Sequence, residues 1–249
     1  MRMILLAVIL SWCTSMACAE AIHESARGGR LDEVKSILKE SPFLRNAVDA
    51  SGQTPAVLAA GAGHLAVVEY LLSIGVKVDD PTTTKKTMLH AACENGKLEM
   101  AKALVLKHRA NVKAKDERDL QPIHFAAQKD PLALLQFMID QRADVNAQSN
   151  VGATPLMGAV NKKFKPQVEL LLKYKADPNK TGELQRTALH YAVLNKDKAL
   201  VELLLKAGAK VGAKNSDGNT ALDLAKAANL TDIAALLEAS GPKKRPGAK

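Results

Sequence analysis

The chain has 249 residues, of which 47% are hydrophobic and only 3% aromatic, and its formal net charge is +9. Five of the cations lie in the end segments 1–19 and 241–249, so the segment between them carries about +4, spread among many acidic residues. A nucleic-acid groove needs clustered basic residues interleaved with stacking aromatic rings. The seven aromatic side chains beyond residue 19 are scattered along the sequence, which argues against a nucleic-acid partner.

Residues 1–19 have the pattern of a cleaved export signal. Arg2 precedes an apolar run at 4–10, and Ala17-Cys18-Ala19 forms a small-x-small cleavage site before Glu20. The run is shorter than the roughly 20 residues of a membrane-spanning helix, and no later stretch reaches that length. We therefore predict an exported protein without a membrane span, periplasmic first and extracellular second. Two alternatives stay open: a frayed hydrophobic N-terminus, and a lipoprotein acylated at Cys18.

A six-residue pattern recurs at a nearly fixed interval. Its first residues stand at positions 54, 87, 121, 154, 187 and 220, in steps of 33, 34, 33, 33 and 33. The copies read TPAVLA, TMLHAA, QPIHFA, TPLMGA, TALHYA and TALDLA, and a degraded copy, AIHESA, begins at position 21. A period near 33 with a T-P-L-H-x-A hexapeptide resembles the ankyrin repeat.

This resemblance covers residues 21 to about 240. It implies an all-α ankyrin-repeat solenoid of stacked helix-turn-helix units with β-hairpin fingers. We place the repeat domain at 20–240, with about seven repeats including two polar caps, and expect a monomer. Residues 241–249 are predicted to be a disordered basic tail. The repeats, numbered one to seven, lie near 21–48, 49–80, 81–114, 115–147, 148–180, 181–213 and 214–240.

Each repeat is predicted to hold a finger, a short first helix and a second helix. Thr54, Gln121 and Thr154 can cap the first helix, and each is followed by a proline whose missing N–H costs nothing at N1. Gly63 and Gly96 can supply the positive φ that the turn between the two helices needs. The second helix then shows helical spacing of its apolar residues.

The middle repeats depart from this pattern. The one extra residue is expected near 113–120, and Lys85 and Gln185 stand where a finger glycine is expected. In repeat five the segment 161–166, NKKFKP, occupies the turn between the helices. Pro166 is expected to delay the second helix by about two residues, so that this turn protrudes. Phe164 within it either docks an acidic, partly apolar partner or folds back against its own repeat.

The sequence offers no constellation typical of an enzyme. His90, His124 and His190 occupy equivalent positions, and packed helices lie roughly 8–10 Å apart, whereas a zinc–nitrogen bond is about 2 Å. The resemblance implies instead that these histidines hydrogen-bond to the adjacent finger. We expect no catalytic residue, no metal and no cofactor. Cys93 stands where other repeats have Ala60 and Ala127, which predicts a buried packing role.

The resemblance implies that partners contact the concave face, through finger tips and the exposed end of each first helix. Aromatic and arginine side chains are common interface anchors, although Phe125 and Tyr191 could equally fill space between repeats. The candidate partner-binding residues are Lys86, Glu94, Asn95, Arg118, Phe125, Gln128, Lys129, Asn161, Lys162, Phe164, Leu184, Arg186, Tyr191 and Leu194.

These observations predict a non-catalytic, exported scaffold that binds a protein partner. The short export signal and the absence of a thiol pair in the mature chain favour a bacterial source. Two other functions stay open, namely a secreted effector acting on a host-cell protein and an accessory or inhibitor subunit of a periplasmic enzyme. The identity of the partner is not encoded in any motif.

Overall fold

The computed structural model describes residues 18–240, and these residues form helices that alternate between a first and a second helix of each repeat. The first helices are α1 at 18–27, α3 at Pro55–Ala62, α5 at Met88–Glu94, α7 at Pro122–Ala126, α9 at Pro155–Asn161, α11 at Ala188–Leu194 and α13 at Ala221–Ala227. The second helices are α2 at Leu31–Glu40, α4 at Leu65–Ser73, α6 at Leu98–Lys102, α8 at Leu132–Asp140, α10 at Lys165–Lys173, α12 at Lys198–Lys206 and α14 at Thr231–Ser240. Short 3₁₀ turns lie at Pro42–Asn46 and Glu183–Gln185.

The predicted caps are present at the starts of the first helices. The Thr54 hydroxyl accepts the Val57 N–H at 3.3 Å, and the Thr154 hydroxyl accepts the Met157 N–H at 3.2 Å. Proline follows each cap at the first helical position, as it does after Gln121. The threonine therefore satisfies a backbone donor that the helix itself leaves without a partner.

The described residues form two compact units, one of residues 18–117 and 129–137 and the other of residues 118–128 and 138–240. In the first unit, α3 packs against α5 through small buried residues such as Ala59, Ala60 and Ala92. In the second, α9 packs against α7 and α11, α11 against α13, and α12 against α14. Short side chains let the first helices approach closely. The second helices contribute larger buried side chains to the core, such as Leu171 of α10 and Leu204 of α12.

The fingers are tight hairpin turns tied together by backbone hydrogen bonds. In repeat two the Asp49 N–H donates to the Gln53 carbonyl at 2.9 Å and the Gly52 N–H donates to the Asp49 carbonyl at 2.8 Å. Adjacent fingers are joined as well, because Thr83 donates to Gly52 at 3.1 Å. The same bond links Glu117 to Thr84, Asn150 to Arg118, and Ser216 to Leu184. Strand-type pairing among the described residues is limited to one isolated antiparallel bridge, between Lys214 and Thr220.

Left-handed backbone conformations recur at three points of the repeat. One is the finger turn, at Gly52, Lys85, Asp119, Gly152, Gln185 and Gly218. Another is the turn between the helices, at Gly29, Gly63, Gly96, Lys163, Lys196 and Asn229. The last follows the second helix, at Gly75, Arg109, Arg142, Lys175 and Gly208. Nine of these 17 positions therefore hold a side chain in a conformation that glycine adopts at the lowest cost.

Leu184 is the one described residue with a positive φ outside these three recurring points. Its φ is 56° and its side chain is 48% exposed at the tip of the finger of repeat six. Gln185, the next residue, also has a positive φ. Two successive left-handed residues make this finger the most strained of those described, and its strained leucine faces solvent.

The extra residue is not in the finger of repeat four, where the sequence pattern placed it. It lies in the second helix of repeat three, which continues from α6 as a π-helical stretch at Ala103–Lys107. The Ala110 N–H consequently reaches the Leu104 carbonyl, six residues back, whereas Ala176 reaches Leu171, five residues back. A π turn absorbs an inserted residue without breaking the helix, so the insertion leaves the fingers in register.

The expected delay of the second helix of repeat five is also wrong. Helix α10 begins at Lys165, with Phe164 at the N-cap and Pro166 in the first turn. This start lies 33 residues after that of α8, and α12 begins 33 residues later again. Backbone N–H groups of the first turn have no partner within the helix, so a proline there removes nothing and the helix starts on time.

The predicted export signal up to its cleavage site, at residues 1–17, and the predicted basic tail, at 241–249, lie outside the described residues. Within 18–240, every helix is too short or too polar to cross a membrane. Cys93 is fully buried in α5, and Ala60 and Ala127 are buried at the equivalent positions, as predicted.

The strain in the finger of repeat six predicts a stabilising substitution. Gln185→Gly should raise the free energy of unfolding by about 1 kcal/mol, because glycine adopts a positive φ without a clash. For a chain of this size the melting temperature should rise by about 2–4 °C, which calorimetry can measure. Asn150→Gly is the matched control, since Asn150 is an exposed finger residue outside the left-handed positions; a comparable rise there would contradict the strain argument.

Candidate protein-interaction site

The repeated histidine is part of the scaffold. His190 is fully buried, and its Nδ1 accepts the Thr187 N–H at 3.1 Å. Its Nε2 lies 3.2 Å from the Asn219 carbonyl oxygen in the finger of the next repeat. His124 makes the equivalent pair, with the Gln121 N–H at 3.0 Å and the Ala153 carbonyl at 3.1 Å. One neutral imidazole thus caps its own helix and donates a hydrogen bond to a carbonyl of the next finger.

Asp223 takes the place of this histidine in repeat seven and makes only the contact that caps its own helix. Its Oδ2 accepts the Thr220 N–H at 2.8 Å and the Thr220 hydroxyl at 2.7 Å, which completes the capping box. These hydrogen bonds hold the pKa of the Asp223 carboxyl below its usual value. A carboxylate has no proton to donate to a following carbonyl, so the cross-link to a next finger is absent at this position.

The candidates of the first unit are largely engaged with their own repeat or a neighbouring one. Lys86 and Glu94 form an ion pair at 2.7 Å, so the two charges offset each other. The Asn95 amide donates to the Ala91 carbonyl at 2.9 Å within its own helix. Lys129 is exposed. In this unit three of the four candidate residues therefore bond within their own repeat.

Phe125 and Gln128 differ in what they leave accessible. Phe125 is half-buried in α7, while Arg118 is exposed at the finger tip of the same repeat. The Gln128 amide donates to the His124 carbonyl at 2.9 Å, and its side chain lies over Gly158. A methyl group at Gly158 would stand 2.8 Å from the Gln128 amide nitrogen. Gln128 therefore covers a notch where repeats four and six have an aromatic ring.

Repeat six holds four of the predicted residues. Leu184 and Leu194 are 48% and 45% exposed, at the finger tip and at the end of α11, respectively. Between them in sequence lie Arg186 and Tyr191, both half-buried. Burial raises the pKa of the Tyr191 phenol, and the nearby Arg186 charge opposes that rise. The Arg186 Nε is buried without a hydrogen-bond acceptor among the described residues.

The turn of repeat five lies beside the helix end of repeat six. The Asn195 amide donates to the Val160 carbonyl at 2.9 Å and to the Asn161 carbonyl at 3.3 Å. Asn161 and Lys162 are exposed, and Phe164 is half-buried at the N-cap of α10. The two lysines Lys163 and Lys196 escaped the sequence prediction as candidates. Their signal was present, because each takes the place that Gly63 and Gly96 occupy in other repeats.

No described cluster resembles a catalytic or metal centre. Within residues 18–240, no group of three or more histidine, cysteine, aspartate or glutamate side chains is placed to hold a metal ion. Burial also raises the pKa of the Cys93 thiol far above its usual value, so this thiol is not an activated nucleophile. The arrangement offers a surface for contact, built from exposed leucines, lysines and half-buried rings.

Sequence comparison decides the family. The family model described as ankyrin repeats in three copies matches four overlapping stretches, at residues 22–116, 89–181, 123–215 and 156–245. The chain belongs to the ankyrin-repeat family. Ankyrin repeat protein nuc-2 of Neurospora crassa is 33% identical over 43% of this ankyrin-repeat chain and 10% of its own length. Inversin of Mus musculus is 28% identical over 50% of this chain and 12% of its own length.

A third relative is the probable E3 ubiquitin-protein ligase XBOS32 of Oryza sativa. It is 33% identical over 45% of this ankyrin-repeat chain and 23% of its own length. The chain thus matches at most about a quarter of the length of these three relatives. The matches support the shared repeat architecture, and with it a role in protein interaction.

The buried histidine of repeat six predicts a loss of stability in acid. Burial lowers the pKa of His190, so below the unfolded value of about 6.5 the unfolded chain takes up a proton before the folded one does. The stability that neutral His190 contributes is complete above that pH. It is lost as the pH falls towards the folded pKa, with a slope of up to about 1.4 kcal/mol per pH unit.

Urea unfolding of the parent chain and His190→Gln at pH 7.5 and pH 5 tests this expectation. The parent should lose more stability on acidification than the variant, because only the parent has the His190 imidazole whose pKa is lowered by burial. An equal loss in both chains would show that other groups control the acid response.

Proposed function

We propose that this ankyrin-repeat chain is a non-catalytic, exported scaffold that binds a protein partner through the concave face of its repeats. The anchor of this surface is repeat six, where Leu184, Arg186, Tyr191 and Leu194 are the contact residues. The family supports a protein-interaction scaffold in general. The specific surface and the export of the chain are our own inferences.

The observation that carries the choice of surface is the conformation of Leu184. An exposed leucine gains nothing for folding, and a left-handed backbone at that residue costs about 1–2 kcal/mol. The recurring pattern of the repeat does not require a positive φ there. Strain concentrated at an exposed apolar residue is typical of a surface shaped for contact rather than for stability. Burial of the Leu184 side chain against a partner would offset this conformational cost.

The neighbouring residues supply what an interface needs around such an anchor. Arg186 and Tyr191 belong to the residue types most enriched at the energetic centres of interfaces. Both are already partly buried and their side chains have lost much of their freedom, so binding should order little more of them.

The proposal of export depends on residues 1–19, where a basic residue, an apolar run and a small-x-small site follow one another. Fractionation of cells that express a C-terminally tagged chain tests it. We expect a chain shortened to near Glu20 in the periplasm or medium. An uncleaved chain confined to the cytoplasm would contradict export while leaving the binding proposal intact.

The binding surface is tested by cross-linked capture from the native compartment. Leu184→Asn and Tyr191→Ala should each reduce the recovered partner by about tenfold, equivalent to about 1.4 kcal/mol. Asparagine tolerates the left-handed conformation, so Leu184→Asn should not lower the melting temperature. Reduced binding without destabilisation would therefore separate contact from folding.

Leu106→Ala is the matched control. Leu106 is 64% exposed, but it lies on the second helix of repeat three, away from the finger and first-helix positions. Its substitution should leave capture unchanged. Equal losses in Leu106→Ala and Leu184→Asn would mean that the captured protein binds exposed leucines without selecting the proposed surface.

A further inference from the structure

The turns between the helices of repeats five and six form a continuous basic edge. We name it the lysine edge and define it by Lys162, Lys163, Phe164, Leu194 and Lys196. The two parts of the edge are neighbours because the Asn195 amide bonds the Val160 and Asn161 carbonyls. All three lysines are exposed, Leu194 is 45% exposed and Phe164 is half-buried.

The ammonium groups of this edge are unpaired within the part of the chain that the structure describes. Within the described residues, Lys162, Lys163 and Lys196 make no ion pair and no side-chain hydrogen bond. The neighbouring Lys165 and Lys198 reach Glu169 and Asp232 only at 3.8 and 3.9 Å. The nearby carboxylate of Asp197 already accepts the Leu200 N–H at the start of α12. No described carboxylate therefore forms an ion pair with these three ammonium groups.

Two of the lysines are held at a cost. Lys163 and Lys196 have φ values of 59° and 56°, at the point where repeats one to three have Gly29, Gly63 and Gly96. A glycine would fold there with less strain. The turn therefore gives no structural reason for a lysine at either position.

We propose that the lysine edge binds an acidic protein segment with apolar residues between its carboxylates. This inference rests on the proposed scaffold function and specifies the chemistry of the partner. Adjacent repeats are spaced like packed helices, roughly 8–10 Å apart, which corresponds to about three residues of extended chain. The segment should therefore carry a carboxylate at about every third residue, with a leucine or similar side chain against Leu194 and Phe164.

The same features disfavour two other kinds of occupant. A nucleic-acid strand is held by stacking on exposed aromatic rings, and the only ring of the edge, Phe164, is half-buried. A membrane surface requires a broad apolar face in addition to cations, and the edge exposes a single leucine strongly. Anionic vesicles are nevertheless a useful competitor in the test below.

The proposal is tested with a fluorescein-labelled peptide of four Glu-Leu-Gln triplets and the full chain. Anisotropy should show saturable binding at low salt that weakens at about 300 mM NaCl, where exposed charges are screened. The double variant Lys163→Gly/Lys196→Gly should bind at least about tenfold more weakly. Its melting temperature should equal or exceed that of the parent, because the strain is relieved as the charge is removed.

Lys175→Gly is the matched control, since Lys175 is also exposed and left-handed, in the same unit, but follows the opposite end of α10. It should keep full affinity. Lys162→Gln removes a charge at an ordinary φ of −84° and provides a second variant should the double variant fail to fold. Its affinity should fall as well. The proposal is overturned if the parent does not bind the peptide, if the glycine double variant binds as tightly, or if Lys175→Gly weakens binding equally.

Tighter binding to phosphatidylglycerol vesicles than to the peptide would also overturn it in favour of a lipid surface. Partner capture distinguishes this inference from the scaffold function. Capture that is lost in Tyr191→Ala but retained in the glycine double variant would refute the lysine edge alone. Failure of the parent chain to capture any protein would refute the scaffold function itself.

Discussion

In repeats two, three, five and six the backbone reverses three times, and each reversal has a residue in a left-handed conformation. The other features of the fold follow from this constraint. The fingers can close and bond to one another because Gly52 and its equivalents turn sharply, and the two helices of a repeat can pack because Gly63 and its equivalents do the same. Where a lysine or glutamine takes such a position, the fold accepts strain.

The histidine cross-link complements this constraint by joining successive repeats in one direction. His124 and His190 each cap their own helix and donate to the following finger. Because a single neutral ring makes both contacts, the helix cap and the link to the next finger depend on the same residue. Both ring nitrogens are engaged, so the ring is unavailable for catalysis or metal binding. The same geometry explains why the most conspicuous motif in the sequence lies in the core, while the candidate contacts lie in residues that the motif leaves variable.

Much of the fold could be predicted from the sequence, because repeated caps, turns and apolar spacing act locally. The caps at Thr54 and Thr154 and the buried Cys93 are examples. The position of the extra residue could not be predicted in this way. The 34-residue step shows that a residue is inserted between positions 87 and 121, but it does not show that a π turn of the second helix absorbs it. The effect of Pro166 was overestimated because the first turn of α10 lacks the hydrogen bonds that proline removes.

The candidate site was predicted as types of position rather than as contacts. That Lys86 and Glu94 pair with each other, and that Gln128 covers Gly158, depends on side-chain geometry that spacing does not encode. The buried thiol of Cys93 has a consequence for how the protein can be observed. A reagent in solution can reach this sulfur only when α5 and its neighbours separate. In a chain that begins after Cys18, the labelling rate of Cys93 therefore reports how often repeat three opens locally.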